Sequence, residues 1–373
     1  MIKILHVISD TGIGGAGVHL CNLLTCADRS RFDLTVALPE GSALSPRIAA
    51  LDVPVAELHR GADNSADLCA IPEMISLIRR VRPHILHTHS ALYARIAGRL
   101  CRVPVAVNTR HCADMNEHPS WGTRVATKRL GSLLDTHTIA TAHYVKDILI
   151  ERGVPQKSIT VIHNGSMPQA PLSAEEKRQL RHDLGIKDSL FPVGIVARLA
   201  EGKGHETLLR AARLCLDASP DFCFLIVGSG EKEGALKEMT QALGIENQVR
   251  FLGFRTDIGR IMNLLDINVN CSQFSETSSL SLSEGMSVGA VPVVSDCGGN
   301  PFMAGFGENG TVFPVDDARA LADAILSLAR DRSRLAFLSE ACQIRFTREF
   351  TAAAMTARTE ALYQTLLPPD AIP

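Results

Sequence analysis

Residues 267–296, INVNCSQFSETSSLSLSEGMSVGAVPVVSD, decide the reading of this chain. Two apolar runs, INVNCS (267–272) and VPVVSD (291–296), bracket a polar stretch with room for a short helix. Strand, helix and strand in that order make a βαβ unit, whose two strands lie parallel in one sheet. Open parallel sheets gather their ligands outside the carboxyl ends of the strands. Glu276 and Glu284 follow the first of these strand ends.

The same alternation runs outward in both directions. Downstream of residue 190 the other strand candidates are FPVGIVAR (191–198), FCFLIVG (222–228) and VRFLG (249–253). The first half offers IKILHVIS (2–9), FDLTVALP (32–39), VPVAEL (53–58), HILHTH (84–89), VPVAVNT (103–109) and HTIATA (137–142). Helical periodicity fills gaps such as 18–27 and 94–102. After ITVIHNG (159–165) two prolines and a charge-rich segment interrupt the pattern. A chain of 373 residues is long for one core. The expected organisation is therefore two Rossmann-like doubly wound α/β domains, residues 1–168 and 189–349. Residues 169–188 are the linker and first helix of the second domain, and 350–367 a final helix.

Composition narrows the function classes. At 46% hydrophobic and 21% charged residues the chain reads as soluble and globular. A formal net charge of −2 gives no global basic field, so nucleic acid is not an expected partner and anions must be held by local cations. The ten cysteines contain no C-x-x-C pair, as expected of thiols in a reducing cytoplasm. MIKILHVIS reads as a first strand rather than a targeting segment, and no apolar run approaches the ~20 residues a membrane span needs.

Arg198 and Lys203, in ARLAEGK just past a strand, can grip a diphosphate, Arg as a bidentate fork and Lys as a point charge. The sequence has no D-x-D motif for a divalent metal, so these cations are expected to neutralise a departing phosphate. Backbone N–H groups of Ser278, Ser279 and Leu280, at a helix start, can add to them. If Glu276 and Glu284 shared one helix, their separation would be about 12 Å. The plainer alternatives make Glu284 part of a Ser281–Glu284 capping box, Glu276 a first-turn acid, and the two cations ordinary solvated loop charges.

Arg198, Lys203, Glu276 and Glu284 in this order resemble the retaining glycosyltransferases of GT-B architecture, most of all glycosyltransferase family 4. The resemblance implies transfer of a hexose from a nucleoside-diphosphate sugar, UDP-linked by the family's habit, without cofactor or metal. It places Glu276 at the donor sugar and Glu284 on the ribose hydroxyls. Gly228 and Gly230 line the nucleotide pocket, and LGFR (252–255), ending in Arg255, meets the base with backbone groups, Phe254 lying beside it; core packing is the plainer reading of Phe254. In the first domain it implies that Gly15 and Gly17 approach donor phosphate and acceptor, that His111 reaches the sugar, and that the final helix, 350–367, crosses back onto this domain. Thr277-Ser278-Ser279 and Phe302 depart from the family pattern. The expected acceptor is a glycan or lipid-linked saccharide of the cell envelope.

Other readings compete. Gly12-Ile13-Gly14-Gly15-Ala16-Gly17 satisfies G-x-G-x-x-G, as in dinucleotide oxidoreductases. A sugar-nucleotide 2-epimerase and an inactive sugar-nucleotide-binding subunit also fit the architecture. His87 and His89 share a strand face, but with no third ligand in spacing they read as core or cleft lining rather than a metal site. WGTRVATKRLGSLL (121–134) has the form of a basic amphipathic helix, so peripheral contact with the inner membrane surface is expected of a cytoplasmic protein; a domain helix with a solvated face is the plainer reading.

Overall fold

Strands buried on both faces need unbroken apolar runs rather than strict alternation, and most of the runs above are of that kind. In the computed structural model, which describes residues 1–111 and 134–368, they form two sheets in which every strand pairing among the described residues is parallel. The chain divides into two compact units, Met1–Gly165 with the segment from Ala352 onward, and Ser166–Thr351.

The sheet of the first unit comprises β1 (Ile2–Ile8), β2 (Phe32–Pro39), β3 (Val55–Leu58), β4 (Ile85–His89), β5 (Val105–Arg110), β6 (His137–Ala140) and β7 (Ile159–Val161). Their order is β3-β2-β1-β4-β5-β6-β7, so the winding reverses between β1 and β4. That switch point opens a crevice at the carboxyl ends of the strands. Ile2, Ile4 and Ile8 face Leu20, Leu24, Met355 and Tyr363 on one side; Leu5 and Val7 face Leu77 and Tyr93 on the other. His6 shares the Ile4 face, and the register pairs His6 with His87 and Ile8 with His89.

In the second unit β8 (Phe191–Val196), β9 (Phe222–Val227), β10 (Val249–Gly253), β11 (Ile267–Asn270), β12 (Val291–Ser295) and β13 (Thr311–Phe313) are ordered β10-β9-β8-β11-β12-β13. Here the switch point lies between β8 and β11. Arg198 and Lys203 follow the first of these strands and Glu276 the second.

Short elements add to the sequence reading, and the helices it expected fall into place. β7 and β13, three residues each, carry too little pattern to be read in advance. The segment read as linker and first helix holds the helix Ala174–Asp183, started by a reciprocal capping box between Ser173 and Glu176. Leu180 and Ile186 are buried there against Met262 and Leu264, so this segment belongs to the second unit's core. The last helix, Ala352–Leu366, packs within the first unit through Met355 and Tyr363. Among the described residues no helix is long and apolar enough to cross a membrane. Trp121 and the basic residues Arg124, Lys128 and Arg129 lie outside the described residues.

Candidate active site

The second unit builds its site from two loops that end neighbouring strands. After β8 the chain turns at Gly202 and Gly204, both left-handed, before the helix His205–Ala218. After β11 it runs through Cys271–Ser279 with Ser275 at a φ of 56°. The loops are tied together: Gln273 N–H donates to the Gly202 carbonyl at 2.8 Å. A Cβ on Gly202 would sit 2.3 Å from the Phe274 ring, and one on Gly204 2.1 Å from the Cys271 carbonyl oxygen. Glycine is needed at both positions, for its backbone and for the close approach.

This arrangement brings Lys203 and Glu276 together. Lys203 Nζ donates to Glu276 Oε2 at 2.9 Å, Ser272 Oγ donates at 2.7 Å and Asn270 Nδ2 at 3.4 Å. Burial raises the Glu276 pKa, but the Lys203 charge and these hydrogen bonds outweigh it and hold the carboxyl below its usual range. Behind it, Asn270 Oδ1 accepts from Ser272 N–H and Asn300 Nδ2, and Asn300 Nδ2 also reaches Ser295 Oγ. The carboxylate is thus fixed in one orientation beside a cation, and Arg198 stands exposed with no ion pair among the described residues.

The helix that follows starts later than its sequence implies. It spans Leu280–Ser287 with Ser279 as N-cap, the Ser279 hydroxyl accepting from Leu282 N–H at 3.4 Å. Glu276 therefore lies in the preceding loop, and the 12 Å spacing of two residues on one helix does not apply. Nor does the capping-box alternative hold for Glu284, which sits mid-helix; Ser279, not Ser281, takes the cap. Ser279 itself is extended, at a φ of −67° and ψ of 117°, so helical backbone begins only at Leu280. Burial pushes the Glu284 carboxyl up to about 7.

Other predicted residues divide. A Cβ on Gly228 would lie 2.0 Å from the Ala197 carbonyl oxygen, and one on Gly230 2.3 Å from that of Leu199. Both glycines thus let the loop after β9 close onto the Arg198 loop, a packing reason for glycine there. Phe254 is 69% exposed, so the core-packing reading of it fails. Arg255 commits its guanidinium to Asp257, at 2.8 and 2.6 Å. Ser278 and Ser279 are buried, and Phe302 packs edge-to-face on Phe350 beneath the Arg345 guanidinium.

In the first unit, Gly14 caps the helix Gly15–Cys26. Nothing lies within 4 Å of a Cβ on Gly15, whereas one on Gly17 would meet the Leu44 side chain at 2.7 Å. His111, just past β5, places Nε2 3.0 Å from His89 Nδ1. His89 Nε2 lies 3.5 Å from His6 Nδ1, and His19 Nδ1 2.9 Å from Asn164 Oδ1. His87 bonds Thr109 Oγ1 at 2.7 Å and the Tyr363 hydroxyl. His87 is core, as one reading of the sequence had it. The expectation that His89 lacks partners for a three-histidine cluster is corrected: His6, His19 and His111 converge on it from β1, the first helix and the end of β5.

Two family models match the chain in succession: Glycosyltransferase Family 4 over residues 13–166 and Glycosyl transferases group 1 over residues 176–343. The chain belongs to glycosyltransferase family 4. Across 97% of its length this glycosyltransferase is 26% identical to the UDP-Gal:alpha-D-GlcNAc-diphosphoundecaprenol alpha-1,3-galactosyltransferase of Escherichia coli, of which it covers 96%. It is 25% identical to the D-inositol 3-phosphate glycosyltransferase of Corynebacterium glutamicum over 78% of the chain and 74% of that protein. Among solved structures, Anabaena HepE in complex with UDP and glucose matches with a TM-score of 0.85 at 22% identity, over 98% of this chain and all of that one. The sucrose-phosphate synthase of Thermosynechococcus elongatus matches with a TM-score of 0.79 at 18% identity, over 98% and 99%. These likenesses fix the GT-B architecture and remove the dinucleotide oxidoreductase reading of the glycine loop.

Two functional candidates escaped the sequence reading of this glycosyltransferase. Asn270, behind Glu276, stands in a strand run where it passes for a polar interruption. The signal for His6 lies in its phase with Ile4 and Ile8, on the face where β4 presents His87 and His89.

Proposed function

We propose that this glycosyltransferase moves a hexose, with retention of configuration, from a UDP-sugar to a lipid-linked saccharide. The observation that carries the reading is the Lys203–Glu276 pair at the β8/β11 switch point. Lys203 supplies positive charge for the departing diphosphate, and Arg198 a second cation from the same loop. Glu276, ionised and held by Ser272 and Asn270, accepts sugar hydroxyls at the reacting centre. Glu284 takes the ribose hydroxyl pair, His111 contacts the sugar, and the chain's own cations do the work a D-x-D-bound metal does elsewhere. The UDP-sugar donor and diphospholipid acceptor named for the Escherichia coli relative, across nearly the whole of both chains, support the donor and acceptor classes.

Incubation with UDP-, GDP- and ADP-sugars and a diphospholipid-linked N-acetylhexosamine tests the proposal. Free UDP and an α-linked extended lipid are expected, with activity persisting in EDTA. Epimerised sugar without transfer would identify an epimerase, and neither product an inactive binding subunit. Arg198→Ala and Lys203→Ala should each lower turnover by about 10²-fold or more, the scale of losing one transition-state electrostatic donor.

A further inference from the structure

The histidine cluster of the first unit is larger than one sugar contact requires. Period-two spacing puts His6 of β1 and His87 and His89 of β4 on one sheet face, and His111 extends the row beyond β5. His19 reaches the cluster from the first helix, its ring 4.8 Å from that of His111 and 5.6 Å from that of His89. Burying several imidazoles in a hydrophobic core is costly unless each is neutral and partnered.

We propose that His19, His89 and His111 bind a divalent cation of the zinc class. One ring nitrogen from each lies within 4.8 Å of the other two. One set of tautomers compatible with the hydrogen bonds leaves a lone pair on each ring. Asn164 Oδ1 accepts from His19 Nδ1–H, leaving the His19 Nε2 lone pair for a ligand. In the tautomer of His89 protonated at Nε2, which faces His6 Nδ1 at 3.5 Å, the His89 Nδ1 lone pair is left for a ligand. That lone pair faces His111 Nε2 at 3.0 Å, where His111 donates its proton. A cation replaces this hydrogen bond as the His111 proton shifts to Nδ1. Tetrahedral zinc with Zn–N of about 2.0–2.1 Å separates its ligand nitrogens by about 3.3–3.4 Å, so the His89–His111 pair opens by a few tenths of an ångström while the remaining separations, at most 4.8 Å, close on the ion.

The surroundings fit such a site. Burial holds His19 at about 4 and His89 and His111 well below the usual histidine range, so all three are neutral ligands at pH 7 without losing a proton. Asn164 and His6 orient the ligands from behind, as outer groups do in zinc sites. His87 is excluded, because Tyr363 and Thr109 occupy both its nitrogens. His111 is the part-exposed member and gives the cation its way in.

Equilibrium dialysis of the chelator-stripped chain against zinc, with elemental analysis, tests the site. About one zinc per chain is expected, weakened 10-fold or more in His19→Ala and within the 10–100-fold outer-group range in Asn164→Ala. His137→Ala, on β6 and bonded to Thr160, should bind as the wild type does. Cobalt in place of zinc should give the intense visible bands of tetrahedral coordination in the wild type and lose them in His19→Ala. Equal zinc affinity in the wild type and His19→Ala, or only the weak bands of hexa-aquo cobalt, would overturn the proposal. If His19→Ala melts early in circular dichroism, Asn164→Ala, which keeps all three ligands, decides by the same comparison.

Discussion

Glu284 sits mid-way along the helix Leu280–Ser287, and desolvation moves its carboxyl from 4.5 to about 7. Between those two values the folded chain holds a proton that the unfolded chain has released. Stability from this group is therefore complete below about pH 4.5, declines as pH rises, and is lost above about pH 7. Glu284→Gln should flatten that slope in denaturant titrations run across the window. If the ionised carboxylate accepts the ribose hydroxyls, UDP affinity of the wild type should rise from about pH 6 to about pH 8 and stay level in Glu284→Gln. Losing hydrogen bonds to a charged acceptor costs about 1.5–3 kcal/mol, so the variant should bind UDP roughly 10- to 100-fold more weakly at pH 8. Calorimetry showing equal affinity would leave Glu284 a structural residue. Lys203 and Glu276 were legible as chemistry because charges follow apolar strand ends; their contact was not, because it depends on two left-handed turns that charge spacing does not report.

At the scale of elements, glycines separate packing from ligand approach. Gly228 has φ of 137°, and its would-be Cβ collides with backbone, the Ala197 carbonyl, rather than with a movable side chain. Gly228→Ala should destabilise the second unit by about 1–3 kcal/mol or more and displace the Arg198 loop. Gly15 begins a helix with open space around its Cβ position, so Gly15→Ala should leave the melting temperature unchanged or raise it slightly. A fall in donor affinity with unchanged melting is the expected result for Gly15→Ala; unchanged affinity would show that the loop does not approach the donor. The longer strands were legible because burial on both faces demands continuous apolar runs. The late start of the helix at Leu280 was not, since an extended serine N-cap looks like part of any polar run.

For the whole molecule, the alternation of strands and helices is enough to give two doubly wound sheets, while the family resemblance rather than the pattern assigns the final helix to the first unit. The first unit is closed by a helix drawn from the far end of the chain, because Ala352–Leu366 covers the face of β1 that the first helix leaves partly bare. Tyr363 is the keystone of that contact: it is 1% exposed, packs edge-to-face on Phe32, and its hydroxyl meets His87. Tyr363→Ala removes a large buried ring and leaves His87 short of a partner, a loss of about 3–5 kcal/mol by the usual cost of such cavities. The loss should fall on one unit only. Amide exchange should quicken in β1, β4 and the helix Gly15–Cys26, while β8, β9 and β11 keep their protection. Tyr363→Phe, which keeps the ring, should show a smaller effect in the same segments. Equal acceleration in both sheets would mean that the two units unfold as one, despite the separate cores they build.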